Sequence, residues 1–343
     1  MKKLLNTLYI RTEDAYLSLD GENVVILQNK TTLGRFPLHQ LEGIVSFSRV
    51  GASPALMGKC ADMNISLCFH TPNGRFLSRI VGREQGNVVL RKTQYRVSDD
   101  LSKSNEIAKN FLIGKVFNAK SVLERAVRDY PMRLDIERLE RTAEFLKKSI
   151  GNIRQAEDLE QLRGIEGEAA AMYFGVFDEL ILQQKETFQF NGRNRRPPKD
   201  KVNALLSFAY SLLTNQTAWA LTSVGLDSYV GFLHRDRPGR ASLALDLMEE
   251  LRSVLADRFV LSIINTKVIQ SGDFVQKEDG AVLMTDDGRK SFLAAWQNKK
   301  QEKTTHPYLD EKIEWGMIPF VQALLLSRYL RGDLDAYPPF LWK

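Results

Sequence analysis

Apolar and polar positions along the chain change their period once. Over residues 1–97 they alternate in the two-residue rhythm of half-buried strands. Tyr9-Ile10 and Tyr16-Leu17-Ser18-Leu19 read as strands, Asp20-Gly21 is a hairpin signal, and Val24-Val25-Ile26-Leu27 returns from it. Gly43-Ile44-Val45-Ser46-Phe47 is a further strand. A short helix is predicted over 53–62, with Ser53 as N-cap and Pro54 in the first position. Strands over 65–69 and 76–81 flank Thr71-Pro72-Asn73-Gly74 as a second hairpin. Many short strands between turns predict a small β-sandwich.

From about Asn87 the period becomes helical. Helices are predicted near 105–129, 132–150, 155–162, 166–183, 201–224, 241–268, 287–302 and 312–331. One strand-like pair, Phe274-Val275 and 281–284 around Asp279-Gly280, interrupts them. Residues 191–201 form a loop, broken by Gly192, Pro197 and Pro198. The segment 99–104 is the hinge candidate. The fold class is therefore α+β: an N-terminal β-sandwich domain (1–97) followed by a larger all-α C-terminal domain (98–343).

Composition narrows the function. A length of 343 residues suits two domains. No apolar run approaches the roughly 18 residues a membrane helix needs. Met1-Lys2-Lys3-Leu4-Leu5 opens like a signal peptide, but Arg11, Glu13 and Asp14 cut the apolar stretch short, so a cytoplasmic location is expected. Two cysteines, Cys60 and Cys68, are too few for a disulfide framework or a zinc site and read as buried thiols. A net charge of +6 permits a nucleic-acid partner without requiring one.

The chemistry concentrates in four places. Arg163-Gly164-Ile165-Glu166-Gly167-Glu168 opens a helix. At about 100° per residue, Ala170, Tyr173 and Phe177 share the Glu166 side, whereas Glu168 lies about 200° away beside Gly175 and Glu179. A carboxylate on an apolar stripe needs a partner or a metal; a helix-start carboxylate favoured by the helix dipole is the plainer alternative. His234 ends a glycine-flanked apolar stretch, and a hydrogen-bonded structural role competes with a ligand role. Asp246, Glu249 and Glu250 follow on one helix, where an ordinary solvated acidic face is the plain alternative. One histidine with two carboxylates suits Mg²⁺ or Mn²⁺ better than zinc. Finally, Asn191-Gly192-Arg193-Asn194-Arg195-Arg196-Pro197-Pro198-Lys199-Asp200-Lys201 holds five basic residues and one acid, a display suited to phosphate.

Taken in order, Gly164-Ile165-Glu166-Gly167, residues 197–208 with Asn203-Ala204-Leu205-Leu206, residues 225–234, and Ser242-Leu243 with Asp246-Leu247 and Glu249 resemble the CRISPR-associated spacer integrase (Cas-one) family over essentially the whole chain. The Arg-Asn-Arg-Arg-Pro-Pro loop and the Tyr337-Pro338-Pro339-Phe340 tail are similar to the type I-C branch. The resemblance implies a homodimer joined through the β domains, working with a dimer of the small Cas-two protein. It implies an endonuclease and integrase of CRISPR adaptation, in which a divalent ion helps the 3′-hydroxyl of a captured DNA fragment attack a phosphodiester of the repeat array. The implied metal ligands are Glu166, His234 and Glu249, with Asp246 as the supporting catalytic acid and Glu250 as a rival third ligand. Arg193, Arg195, Arg196 and Lys199 of the basic loop, with Asn203 after it, are the candidate DNA-binding residues. A stand-alone branched-DNA nuclease and a non-catalytic nucleic-acid scaffold are the alternatives.

Overall fold

The computed structural model describes residues 6–72, 76–82, 88–195 and 197–343. The strands and helices in chain order are β1 (Thr7–Ile10), β2 (Tyr16–Asp20), β3 (Asn23–Gln28), β4 (Thr31–Pro37), β5 (Gly43–Ser46), β6 (Gly51–Ala52), α1 (Pro54–Asp62), β7 (Ser66–His70), β8 (Phe76–Arg79), α2 (Val88–Asp99) and α3 (Leu101–Asp129). They continue as α4 (Ile136–Gln155), α5 (Leu159–Gly175), α6 (Lys201–Ser223), α7 (Ser242–Met248), α8 (Arg258–Asn265), β9 (Phe274–Gln276), β10 (Val282–Met284), α9 (Asp286–Gln301), β11 (Lys303–His306), β12 (Glu311–Glu314) and α10 (Ile318–Leu330). No helix among the described residues is long and apolar enough to cross a membrane.

Sheets occupy the N-terminal part and helices dominate the rest. By compactness the chain divides into 1–85 with 289–301, and 86–288 with 302–343. The first unit holds two four-stranded sheets, ordered β1-β5-β7-β8 and β4-β3-β2-β6. Leu17 and Val24 from one sheet, Ile44 and Leu67 from the other, and Leu56 and Cys60 of α1 share a single core. Ser53 caps α1 as its sequence predicts, its hydroxyl accepting from Leu56 N at 3.2 Å. Gly21 turns the β2–β3 hairpin at φ 57°, where a side chain is disfavoured. The β7–β8 hairpin is present as well, although Asn73 and Gly74 of its turn lie outside the described residues. Burial pushes the thiols of Cys60 and Cys68 up, to about 11 and about 12, which makes them poor nucleophiles.

The later elements depart from the sequence reading in three ways. The division falls near residue 85 rather than 97, because α2 already belongs with the helices and Asp100 at the expected hinge is the N-cap of α3, accepting from Ser102 N and Lys103 N. The segment 289–301 belongs with the sheets: buried Lys300 donates to Thr7 Oγ1 at 3.0 Å and Glu42 Oε2 at 3.2 Å. The C-terminal part is also not all-α, since β11 and β12 pair where helix was expected from 312. In the second unit α3 packs along α4 and α5, and α6 runs beside α7. These five helices and the turn after α7 frame the site.

Candidate active site

Asp246 on α7 is fully buried and organises the segment before it. Its Oδ2 accepts from Phe232 N at 2.7 Å and Leu233 N at 2.9 Å, and its Oδ1 from His234 N at 3.0 Å. His234 Nδ1 stands 2.5 Å from the same Oδ1. A carboxylate already accepting three N–H groups takes the ring proton as a fourth donor, which puts that proton on Nδ1 and leaves the Nε2 lone pair for the cleft His234 lines. The approach is so close that a Cβ on Gly231 would lie 2.7 Å from Asp246 Oδ2. Glycine is required there.

The next turn carries Glu249. Residues 242–265 form one continuous helical run whose pitch changes, tightening to 3-10 over Glu249–Leu251 and widening to π over Arg252–Asp257. Glu249, only 3% exposed, faces Arg252 Nη2 3.0 Å from its Oε1 and Lys115 Nζ 2.8 Å from its Oε2. Lys115 also pairs with Glu166 Oε1. Burial alone drives the Glu249 carboxyl up, but Arg252 and Lys115 outweigh it and hold the group below the ordinary carboxylate range. Glu249 Oε2 is thus a buried oxygen held by its ion pair with Lys115. Glu250 points elsewhere. Its oxygens accept from Tyr337 OH, Gln322 Nε2 at 2.9 Å and Phe340 N at 2.8 Å, fastening the C-terminal tail, and burial pushes its carboxyl up to about 7.

Glu166 is in the middle of α5, not at a helix start. Asp158 caps that helix upstream, accepting from Gln161 N at 2.8 Å, and Gly164 and Gly167 pass through without breaking it. The dipole alternative therefore does not apply. Glu166 is half-buried at the margin of the stripe formed by Leu162, Ala169 and Tyr173, whereas Glu168 is exposed. A solvated acidic face is equally absent downstream, since Asp246, Glu249 and Glu250 are all buried.

Glu166, His234 and Glu249 line one cleft of about 380 Å³, whose remaining walls include Arg163, Arg195, Arg237, Arg240 and Arg252. A larger hollow of about 930 Å³ shares Glu166, Arg195 and Arg252 and adds Lys115, Phe174, Phe190 and Tyr210. The basic loop is only partly a surface display. Arg193 turns inward, donating to Ser207 Oγ at 3.2 Å and to Asn203 Oδ1 and lying over the Tyr210 ring at 5.2 Å. Asn203 is fully buried and ties the loop to α6 through Gly192 O at 2.9 Å and Asp200 Oδ2 at 2.7 Å, so as placed it holds the loop and cannot touch a ligand. Arg195 and Lys199 are exposed, and Arg196 lies outside the described residues.

Among the described residues, no group of three His, Cys, Asp or Glu side chains stands within one ion's reach as placed. Lys115 occupies the space between Glu166 and Glu249 instead. The donor chemistry nevertheless fits a hard divalent ion: two carboxylates, both paired with side-chain cations, and one oriented imidazole nitrogen. The sequence reading missed Lys115, Arg252 and the arginines of the 235–240 loop. Arg252 had a signal, one turn after Glu249, and Arg235-Asp236-Arg237-Pro238-Gly239-Arg240 is itself a basic run. Lys115 had none, because it reaches the site from another helix.

A family model described as "CRISPR associated protein Cas1" matches residues 8–298. The chain belongs to the Cas1 family. This Cas1 chain is 49% identical over 343 residues to a CRISPR-associated endonuclease Cas1 of Chlorobaculum tepidum, and 49% identical over 350 residues to one of Rhodospirillum rubrum, with 100% of each chain covered in both cases. Among solved structures it is similar to a casposase bound to integration product (TM-score 0.84, 24% identity, 98% of this chain and 93% of that one). A Cas1 protein from Thermotoga maritima is similar as well (TM-score 0.82, 22% identity, covering 97% and 99%). At these identities the two structures bear on the fold, which is that of Cas1.

Proposed function

We propose that this Cas1 chain is a divalent-metal-dependent DNA integrase and endonuclease of CRISPR adaptation. The observation that carries the reading is the meeting of two carboxylates, Glu166 and the buried Glu249, with the oriented ring of His234 in one arginine-walled cleft. Glu166, His234 and Glu249 would hold Mg²⁺ or Mn²⁺, which supplies charge neutralisation at a phosphate and an activated attacking oxygen. Asp246 fixes the imidazole so that Nε2 is the ligating atom. Arg195, Arg237 and Arg240 hold the anionic backbone in the cleft, and Lys199 extends that surface. In the joining step the 3′-hydroxyl of the captured fragment gives up its proton to solvent and its oxygen forms a bond to phosphorus, and the bond from phosphorus to the 3′-oxygen of the repeat strand breaks. That oxygen leaves and takes up a proton. No protein nucleophile is needed, because the chain's residues align and neutralise the reacting groups.

The names of the similar endonucleases support nuclease activity, and the casposase with its integration product supports strand transfer. DNA, a second copy of the chain and a Cas2 dimer are the proposed partners; a Cas6-RT-Cas1–Cas2 complex contains a chain of similar fold (TM-score 0.81). The likeness of the loop at 193–198 and the tail at 337–340 to the type I-C branch supports assignment to that branch in this reading. Purified protein stripped with a chelator is expected to leave branched DNA uncut and unjoined, and to recover both activities with Mg²⁺ or Mn²⁺. Full strand joining by stripped protein without added metal would refute the reading.

A further inference from the structure

Lys115 has no place in the reaction above, yet it stands between the two acids the reaction needs. Gly114 explains how it gets there: a Cβ on that glycine would meet Glu250 Cβ at 2.8 Å, so α3 runs hard against the turn that carries Glu249. The neighbouring ammonium then reaches Glu249 Oε2 at 2.8 Å and Glu166 Oε1 together, with its side chain 14% exposed. The balance of charge is informative. Glu166 and Glu249 bring two negative charges, and Lys115 and Arg252 bring two positive ones. The charges of these four groups cancel before any ion arrives.

The two internal cations are not equivalent. Arg252 pairs with Glu249 Oε1 and lies over the Tyr210 ring at 5.0 Å, so its planar group is fixed on two sides. Lys115 holds a compact charge on a flexible stem and contacts the other Glu249 oxygen, Oε2, together with Glu166. A divalent ion drawn to Glu166 and Glu249 needs the same oxygens. At contact distance the ammonium and the ion repel strongly in this covered setting.

We propose that Lys115 is an internal counter-ion that competes with the divalent metal for Glu166 and Glu249, so that metal binds only as the ammonium withdraws. This rests on the metal reading above. The withdrawn ammonium needs a new anion, and a phosphodiester in the adjoining arginine-lined cleft provides one. Metal and DNA backbone then strengthen each other's binding, and by linkage the effect is the same in both directions. The device leaves the free protein weakly metallated and loads the site when substrate is present.

The test is Mn²⁺ affinity, read from the electron paramagnetic resonance signal of the free ion, without DNA and then with a short duplex. Wild type is compared with Lys115→Met, Lys115→Gln and Lys120→Met; Lys120 is on the same helix, equally covered, and pairs with Glu124 instead. Thermal melts identify any variant that fails to fold, and the Met and Gln replacements back each other up. Without DNA, both Lys115 variants are expected to bind Mn²⁺ about tenfold or more tightly than wild type, because one competing charge is gone. Lys120→Met is expected to match wild type. The duplex is expected to tighten Mn²⁺ binding in wild type and to leave the Lys115 variants nearly unchanged. If wild type binds Mn²⁺ and the Lys115 variants bind it equally or more weakly, the counter-ion role is wrong while the metal site stands. If no protein binds Mn²⁺, the metal reading fails and the competition falls with it.

Discussion

Asp246 and Glu249 stand three residues apart on one helical run, and their surroundings give them opposite duties. Every acceptor position of Asp246 is engaged by Phe232 N, Leu233 N, His234 N or the imidazole, which leaves it nothing to offer a ligand. Glu249 is held by two side-chain cations, Arg252 and Lys115, instead of by backbone donors. Asp246→Ala strands three backbone donors, and a buried unsatisfied group costs about 1–3 kcal/mol. Urea denaturation is expected to show a loss of at least ~3 kcal/mol on that basis. A loss under ~1 kcal/mol would mean that Asp246 does not hold the 232–234 segment. At this scale the sequence was informative where helical periodicity applied: the wheel put Glu166 with the apolar residues and Glu168 with the polar ones, and only Glu166 lines the cleft. It could not separate Glu249 from Glu250, since adjacent residues on a run of changing pitch follow no single wheel.

The elements were legible as periods and illegible as interruptions. Helices over 201–223 and 286–301 fall within a residue or so of their predicted spans, as expected for long periodic segments. The helices predicted at 155–162 and 166–183 join across Gly164 into one that ends at Gly175, because the cap at Asp158 and the packing outweigh the local cost of glycine. The smooth helix expected over 241–268 contains a π turn at Arg252–Asp257, a deviation often found at functional sites. That turn buries Asp257 beside Tyr210, whose hydroxyl donates to it at 2.6 Å. Burial pushes the Asp257 carboxyl up to about 6, against the opposing pull of Tyr210 and Arg252. Its folded value is raised, so the folded protein holds a proton that the unfolded chain has released. The resulting stability is full below about pH 4, the unfolded carboxyl value, and is lost as pH rises through about 6. Asp257→Asn, which keeps an acceptor for Tyr210, is therefore expected to lose less melting temperature than wild type between these limits. Parallel pH curves for the two proteins would contradict this placement of the proton.

For the molecule as a whole, the change of period near residue 87 falls close to where the two compact units divide, but no local pattern says that 289–301 return to the first unit. That return depends on Lys300 meeting Thr7 and Glu42, a contact between the chain's two ends that periodicity cannot express. Nor does net charge reveal arrangement. The basic loop drew attention in the sequence, whereas the cleft's arginine wall is assembled from α5, the loop and the 235–240 segment together. The two kinds of arginine are expected to separate experimentally. Arg195→Ala should lower the slope of log affinity for DNA against log salt by about one unit, as one phosphate contact is lost. Arg193→Ala should lower the melting temperature with little change in slope, because its guanidinium is spent on Asn203 and Ser207. Equal slope changes for both would place Arg193 on the DNA.

The central claim, that Glu166, His234 and Glu249 act through one cleft, is tested most directly by strand joining with Glu166→Ala and Glu168→Ala, each checked by its melting temperature. The two glutamates are two residues apart on the same helix, but only Glu166 faces Lys115 and the cleft. Glu166→Ala is expected to fold, to bind DNA and to join no strands, while Glu168→Ala keeps most of the wild-type rate. An active Glu166→Ala beside an inactive Glu168→Ala would contradict both the assignment of the cleft and the helix geometry on which it stands.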